Sequence, residues 1–286
     1  MTLFITSSPF VDGADRAILS NDNGFLDRIQ EALPPFPRCL FVSSSPDCHD
    51  LNCRFGADVF SAFAEAGIPF SSYSILDGET AEYAEELVSD SDFLVLAGGH
   101  VPTQNDFFRE IHLREILEDF PGVVMGISAG SMNCADEVYA QPEEEGESSP
   151  DFPRFLPGLG LTDVNILPHY QKVKDNILDG LRLFEDITYA DSLGHCFFIL
   201  PDGSYFYQDD DCLLLFGKGF RLKDGILEQL TDDGFTCEED NGYVAIAIEE
   251  EASEAAILLM NSLRLGLESI RETYGDAYLD IVTKEV

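Results

Sequence analysis

One short apolar run in this chain ends on a serine framed by small residues. Val123-Val-Met-Gly-Ile-Ser-Ala-Gly-Ser-Met-Asn133 carries Gly126-x-Ser128-x-Gly130. Small residues at these positions allow the sharp strand-to-helix turn that lifts a serine hydroxyl above the edge of a sheet. There the Ser128 Oγ stands at a helix N-terminus, where backbone N–H groups stabilise developing negative charge. The chemistry on offer is acyl transfer. Read alone, the same residues also suit a glycine-rich turn that only lets a strand meet its helix, so the partners decide.

Leu94-Val-Leu-Ala-Gly-Gly-His100 places Gly98 and Gly99 directly after another apolar run. A tetrahedral oxyanion needs donors about 3 Å away, and the N–H groups of Gly99 and Ala129 are the expected pair. His100 begins the loop that follows; it suits either a substrate contact or a turn histidine in solvent. A serine also needs a base, because its hydroxyl is barely ionised at neutral pH. Of five histidines, His112 falls on an apolar helical face, His49 is expected in an acidic Asp-Cys-His-Asp loop and His195 precedes a strand. His169 is the best placed, since it follows Asn165-Ile-Leu and its backbone is constrained by Pro168. The third member must be a carboxylate that fixes the imidazole tautomer. Asp202 in Leu200-Pro-Asp-Gly203 is preferred, with Asp136, eight residues after the serine, as the competitor.

Positioning these groups requires a sheet with its loops at one edge. The first half of the chain alternates apolar runs with amphipathic stretches, the pattern of β-α units around a parallel sheet. Strands are expected at Leu3–Thr6, Cys39–Ser43, Phe70–Ile75, Phe93–Ala97 and Val123–Ile127. Helices are expected near Gly24–Leu33, Asp58–Ala66, Thr80–Val88 and Asn105–Leu117, the last with Phe108, His112, Ile116 and Phe120 on one face. Functional loops in such sheets lie at the carboxyl ends of the strands. Residues 141–158 are rich in Pro, Gly and Glu and have no period, which predicts a loop. Beyond it, Asn165–Leu167 reads as a strand and Ile177–Phe184 as a helix. Short strands follow at Cys196–Leu200, Ser204–Tyr207, Cys212–Phe216 and Phe220–Leu222. A domain over residues 1–232 and a strand and helix extension over 233–286 are expected, with Tyr243–Ile248 and Glu250–Leu265 as the elements of the extension.

Composition narrows the function classes. The chain has 286 residues, 16 Lys+Arg against 54 Asp+Glu and a formal net charge of −38. Phosphate contacts need clustered Lys and Arg, so a nucleic-acid partner is not expected. With 45% hydrophobic residues the chain can bury a core and is not a disordered acidic tail. No apolar run approaches the roughly 18 residues of a membrane span, and the N-terminus lacks a basic signal region. Seven cysteines without a C-x-x-C pattern fit reduced thiols and a cytoplasmic protein. Cys48-His49 with Cys53 is a partial metal-ligand pattern, but a structural zinc wants four ligands and no second pair follows. No metal or cofactor is expected. Cys134 lies near the elbow, yet Ser128 occupies the elbow itself, which disfavours a cysteine nucleophile.

At Gly98-Gly99, Gly126-Ile-Ser-Ala-Gly-Ser-Met-Asn133 and Pro168-His169 the chain resembles the dipeptidase E and cyanophycinase family of serine peptidases. The fold of that family is similar to the class I glutamine amidotransferases. The likeness covers roughly residues 1–225 in layout, and G-x-S-A-G-[SA]-x-N is far more specific than G-x-S-x-G. It implies a three-layer, flavodoxin-like α/β sandwich with a mostly parallel central sheet, Ser128 as nucleophile and His169 as base. The family also has a Pro-acid-Gly turn where Asp202 stands, whereas an acid between nucleophile and histidine would point to Asp136. Dipeptidase E carries a basic residue shortly after its histidine. Here the sequence continues Tyr170-Gln-Lys-Val-Lys-Asp-Asn, with Lys172 or Lys174 as point charges and no arginine before Arg182. Gly98, His100, Asn133 and Lys172 complete the expected substrate-binding set.

The expected activity is hydrolysis of small peptides or amino-acid-derived substrates by a Ser-His-Asp triad, with a homodimer left open. The other readings are a catalytically silent metabolite-binding protein of the same fold and a non-peptide esterase or amidase.

Overall fold

In the computed structural model, residues 1–209 and 212–231 are described, together with a short antiparallel pair, Glu239–Asp240 and Tyr243–Val244. The expected helix Glu250–Leu265 lies outside the described residues, as does the rest of the expected extension. Among the described residues no helix is long and apolar enough to cross a membrane.

The centre is a seven-stranded sheet. Five strands are parallel: β1 (Thr2–Thr6), β2 (Arg38–Val42), β3 (Ser72–Leu76), β4 (Phe93–Leu96) and β5 (Val123–Ile127). They lie in the order β1-β5-β4-β2-β3, and the strands Tyr205–Gln208 and Leu213–Phe216 extend the β1 side antiparallel. All four residues of β4 and all five of β5 are buried, the near-continuous apolar run of a sheet covered on both faces. Alternation along each strand divides the core between those faces. Leu3, Ile5, Leu94 and Leu96 point to one side, where they meet Phe107, Phe108, Leu117 and Met132. Phe4, Phe93 and Val95 point to the other, where they meet Phe25, Ile29, Val59 and Phe63. Helices α1 (Phe25–Ala32) and α2 (His49–Glu65) supply the second group. Helices α3 (Ala84–Ser89), α4 (Val101–Glu110), α5 (Leu113–Leu117) and α6 (Ala129–Met132) supply much of the first. The result is the expected three-layer α/β sandwich with a mostly parallel centre.

A second, four-stranded sheet is the other device that matters for the site. Its strands follow the order Ile226–Thr231, Gly219–Lys223, Cys196–Ile199, Ile166–Leu167. The last two run parallel, with Leu167 opposite Ile199. The chain after each therefore leaves the sheet at the same edge.

Three local expectations are corrected. The helix over Asn105–Leu117 is two helices, because His112 takes a left-handed conformation with φ 55°. That turn swings His112 out to solvent while Ile111 and Leu113 bury. Ile177–Phe184 is not a helix: Ile177–Leu178 pairs antiparallel with Leu181–Arg182. Asp179 and Gly180 both have positive φ, the geometry of a two-residue hairpin turn that Asp-Gly favours. Finally, α2 begins at His49, nine residues before the expected start at Asp58, so His49 sits on a helix rather than in a loop.

Candidate active site

The register of β1 on β5 builds the first half of the site. Thr6 lies opposite Ile127, so Ser7 and Ser128 emerge together. The Ser128 amide donates to the carbonyl oxygens of Thr6 and Ser7, both at 3.1 Å. Ser128 itself holds φ 52° and ψ −114°, a sparsely populated region for a residue with a side chain, of the kind that clusters at functional sites. The flanking glycines make this turn feasible. A Cβ on Gly126 would lie 2.6 Å from the Ser131 backbone, and one on Gly130 would run into the Leu96 carbonyl. Ser131 closes the turn by donating its hydroxyl to Thr6 O at 2.8 Å.

The second sheet brings the other two groups. His169 follows Ile166–Leu167 and Asp202 follows Cys196–Ile199. Their exits are tied by the Leu200 amide donating to Leu167 O at 2.9 Å and the Tyr170 amide to Leu200 O at 3.2 Å. His169 Nε2 stands 2.9 Å from Ser128 Oγ, and His169 Nδ1 stands 2.6 Å from Asp202 Oδ1. A carboxylate can only accept, so the Nδ1–H faces Asp202 and Nε2 is the open base toward the serine.

Asp202 is nearly buried and well held. Burial pulls its carboxyl upward, but the His169 ring, the Lys172 ammonium and the Ser7 hydroxyl outweigh that and keep it far below the ordinary carboxylate range. Ser7 Oγ donates to Asp202 Oδ1 at 2.9 Å and accepts the His169 backbone N–H at 2.8 Å. Lys172 Nζ lies 2.8 Å from Asp202 Oδ2 and 2.7 Å from Asp12. Gln171 Oε1 accepts the Asp202 amide at 3.1 Å. Ser7 and Gln171 were not singled out in the sequence; the serine pair after the first predicted strand was the available signal.

The glycine loop lies against the elbow. A Cβ on Gly98 would stand 3.3 Å from Ile127 O and from Ser128 Cβ, and one on Gly99 would stand 2.7 Å from Ser44 Cβ. The Ser44 hydroxyl donates to Gly98 O at 2.6 Å, fixing which way that peptide turns. His100 is held by Thr103 Oγ1 and Glu147 Oε1, each at 2.8 Å. Glu147 in turn accepts the amides of Glu143 and Glu144, so the acidic stretch folds onto the residue that opens the glycine loop. Glu143 is exposed at the rim of this stretch, and neighbouring protein partly desolvates its carboxyl. That desolvation raises it above the ordinary glutamate value, opposed by the charges of His100 and His169.

Three expected site residues stand elsewhere. Asn133 is fully buried beneath the elbow, where it donates to Gln104, Ala129 and Val101 and accepts from Asn105. Lys172 is engaged by two carboxylates rather than free for a substrate. Asp136 is exposed and paired with Arg114 at 2.7 Å, so it is not the carboxylate that meets His169. Arg182 is bound at 2.6 Å to Asp186 beside the Ile177–Arg182 hairpin. Cys134 is buried below the turn, its thiol pushed up to about 12 by burial, which makes it a poor nucleophile.

Comparisons with known proteins give the family and the fold. The model of peptidase family S51 matches residues 22–207. Among solved structures, the chain is similar to a peptidase from an acI-B1 Actinobacterium, with 17% identity and a TM-score of 0.54 over 81% of this chain and 94% of that one. It is also similar to a candidate peptidase E protein from Listeria monocytogenes EGD-e, with 14% identity and a TM-score of 0.51 over 80% of this chain and 98% of that one. At such identities these structures speak for the fold alone. No curated protein matches the sequence. With most of the central sheet and the whole Ser-His-Asp arrangement inside the matched span, the chain belongs to peptidase family S51 and is a serine hydrolase of the peptidase class.

Proposed function

We propose that the chain hydrolyses small peptides through Ser128 as nucleophile, His169 as general base and Asp202 as the carboxylate that orients the imidazole. The observation that carries this reading is the continuous line from Ser128 Oγ through His169 to Asp202, with steps of 2.9 and 2.6 Å. Ser128 Oγ attacks the scissile carbonyl as His169 Nε2 takes its proton. The oxyanion meets the N–H groups of Gly99 and Ala129. His169 then returns the proton to the leaving amine, and water repeats the sequence on the acyl-enzyme. The depressed Asp202 carboxyl stays ionised and supports the imidazolium in each half.

His100 and the acidic stretch around Glu143–Glu147 border this cleft. Their charge favours peptides with a cationic or neutral group there and opposes acidic ones. Asn133 and Lys172 act as positioning residues, the first under the elbow and the second on Asp202. Six free cysteines among the described residues favour a reducing compartment such as the cytoplasm.

A fluorophosphonate probe tests the nucleophile. It should label Ser128, and the label should vanish in Ser128→Ala. A dipeptide panel run beside aryl esters and amides tests the substrate class. An unlabelled native protein would overturn the mechanism, and turnover of esters without any dipeptide would overturn the peptide assignment.

A further inference from the structure

A second line of nucleophile, imidazole and carboxylate lies outside the site described above. It is built on the first turns of α2 and the end of β3. Cys53 Sγ stands 3.4 Å from His49 Nε2, and His49 Nδ1 stands 2.8 Å from Asp77 Oδ2. His49 and Cys53 are four residues apart on one helix, which puts them on the same face. Asp77 follows β3 and is fully buried. It is fixed there by Asn52 Nδ2, which donates to Oδ2 at 3.1 Å, and by the Glu79 amide, which donates to Oδ1 at 3.1 Å. Asn52 is locked in turn, because its Oδ1 accepts from Ser43 Oγ at 2.8 Å and its amide nitrogen donates to Ser45 O at 2.9 Å. An exposed helix pair of Cys and His needs no such support. Here the imidazole is oriented by a buried carboxylate whose own partners are set.

We propose that Cys53 is a reactive thiol, activated by His49 and Asp77, and that it is the point at which this protein takes up soft electrophiles, peroxides among them. Asp77 accepts the Nδ1–H and leaves Nε2 facing the sulfur, so the thiol proton has a defined acceptor. The charged groups acting on His49 are Asp77, Glu79 and Asp50. All three are anionic and favour the imidazolium that forms when the proton moves. Cys53 itself is exposed, so a small electrophile can reach it.

With an alkyl iodide, the sulfur forms a bond to carbon, iodide leaves with the bonding pair and the proton rests on His49. With a peroxide, the sulfur forms an S–O bond and the O–O bond breaks. The leaving oxygen takes the proton from His49, so that sulfur is oxidised by two electrons to a sulfenic acid as the peroxide is reduced.

Cys48 supplies an internal control. It is also exposed, and it occupies the N-cap of α2, where a helix most favours an anion. The full-length reduced protein is treated with iodoacetamide at neutral pH, and modification of each cysteine is followed by peptide mass spectrometry. Cys53 should react about tenfold faster than Cys48, and His49→Gln should bring it to within about twofold of Cys48. After a hydrogen peroxide pulse, dimedone should trap a sulfenic acid at Cys53 and not at Cys48. Equal rates at the two cysteines in the native chain would overturn the proposal without recourse to any variant. An unchanged Cys53 rate in His49→Gln would overturn it as well. Peptidase turnover plays no part in either readout, so failure here is distinct from failure of the hydrolytic assignment.

Discussion

Lys172 Nζ lies 2.8 Å from the Oδ2 of Asp202, the oxygen turned away from the His169 ring. The lysine thus balances a carboxylate that sits nearly out of solvent, and it does so from a half-exposed position that Asp12 shares. Removing it should leave substrate affinity alone and weaken the imidazolium support. Lys172→Met is expected to lower kcat by about two- to fivefold with KM little changed, given that a partly exposed ion pair contributes at most about 1 kcal/mol. A rise in KM at constant kcat would instead mark a substrate contact. Asp202→Asn is expected to cost about 10³–10⁴ in kcat, because the amide cannot hold the required tautomer.

Ser7 joins the same carboxylate to the histidine backbone and is fully buried. Ser7→Ala leaves the His169 N–H without its acceptor and Asp202 without one donor. A lost buried hydrogen bond costs about 1–3 kcal/mol. Part of that should appear as a fall of about tenfold in kcat and part as a lower Tm, both measurable on one preparation. Ser7→Thr, which keeps the hydroxyl, should restore the rate if it folds.

Much of this site was legible in the sequence because its residues sit at the ends of strands. Ser128 is announced by Gly126 and Gly130, whose lack of a side chain the turn requires. His169 is announced by Pro168 after a short apolar run. Ser7 is not, since its contacts with His169 and Asp202 span 162 and 195 residues and arise only from the register of β1 with β5 and Tyr205–Gln208. Asn133 misled for the opposite reason. It falls in the right motif, but the helix after the elbow turns its amide down toward Gln104 and Asn105. The break at His112 depends on one positive φ that four-residue periodicity conceals. Asp179-Gly180, by contrast, was a readable hairpin signal inside a stretch that looked helical.

Asp136 offers a clean negative control. It bonds Arg114 on the surface, away from the imidazole. Asp136→Asn should retain turnover within about twofold and shift stability by at most about 1 kcal/mol. A loss comparable with Asp202→Asn would transfer the orienting role to Asp136.

Gly130 is the residue of the elbow least able to change. Any Cβ there meets the Leu96 carbonyl, a backbone atom of the central sheet, and relief would require β4 or the turn to move. Gly130→Ala is expected to destabilise by more than about 3 kcal/mol, as overpacking against fixed backbone does. A thermal melt and soluble yield report it. A wild-type Tm would show that the strand and the turn can part at little cost.

The acidic stretch should respond to pH through Glu147. Burial pulls its carboxyl upward, but two backbone amides and the His100 ring outweigh this and hold it below the ordinary glutamate value. A carboxyl lowered on folding contributes stability that is present above its unfolded value and lost as pH falls through the folded one. Glu143 is raised instead, so its ionisation opposes the folded loop at neutral pH and its protonation comes earlier. On acidification Glu143 should therefore neutralise first, with the loop intact or tightened. The Glu147 contacts to His100 and to the amides of Glu143 and Glu144 should fail only at lower pH. Hydrogen exchange of those two amides checks the order. Protection should persist through the ordinary glutamate range and collapse below it, and Glu147→Gln should expose the amides already at neutral pH. Collapse above that range in the native chain would mean that Glu147 is not what secures the stretch.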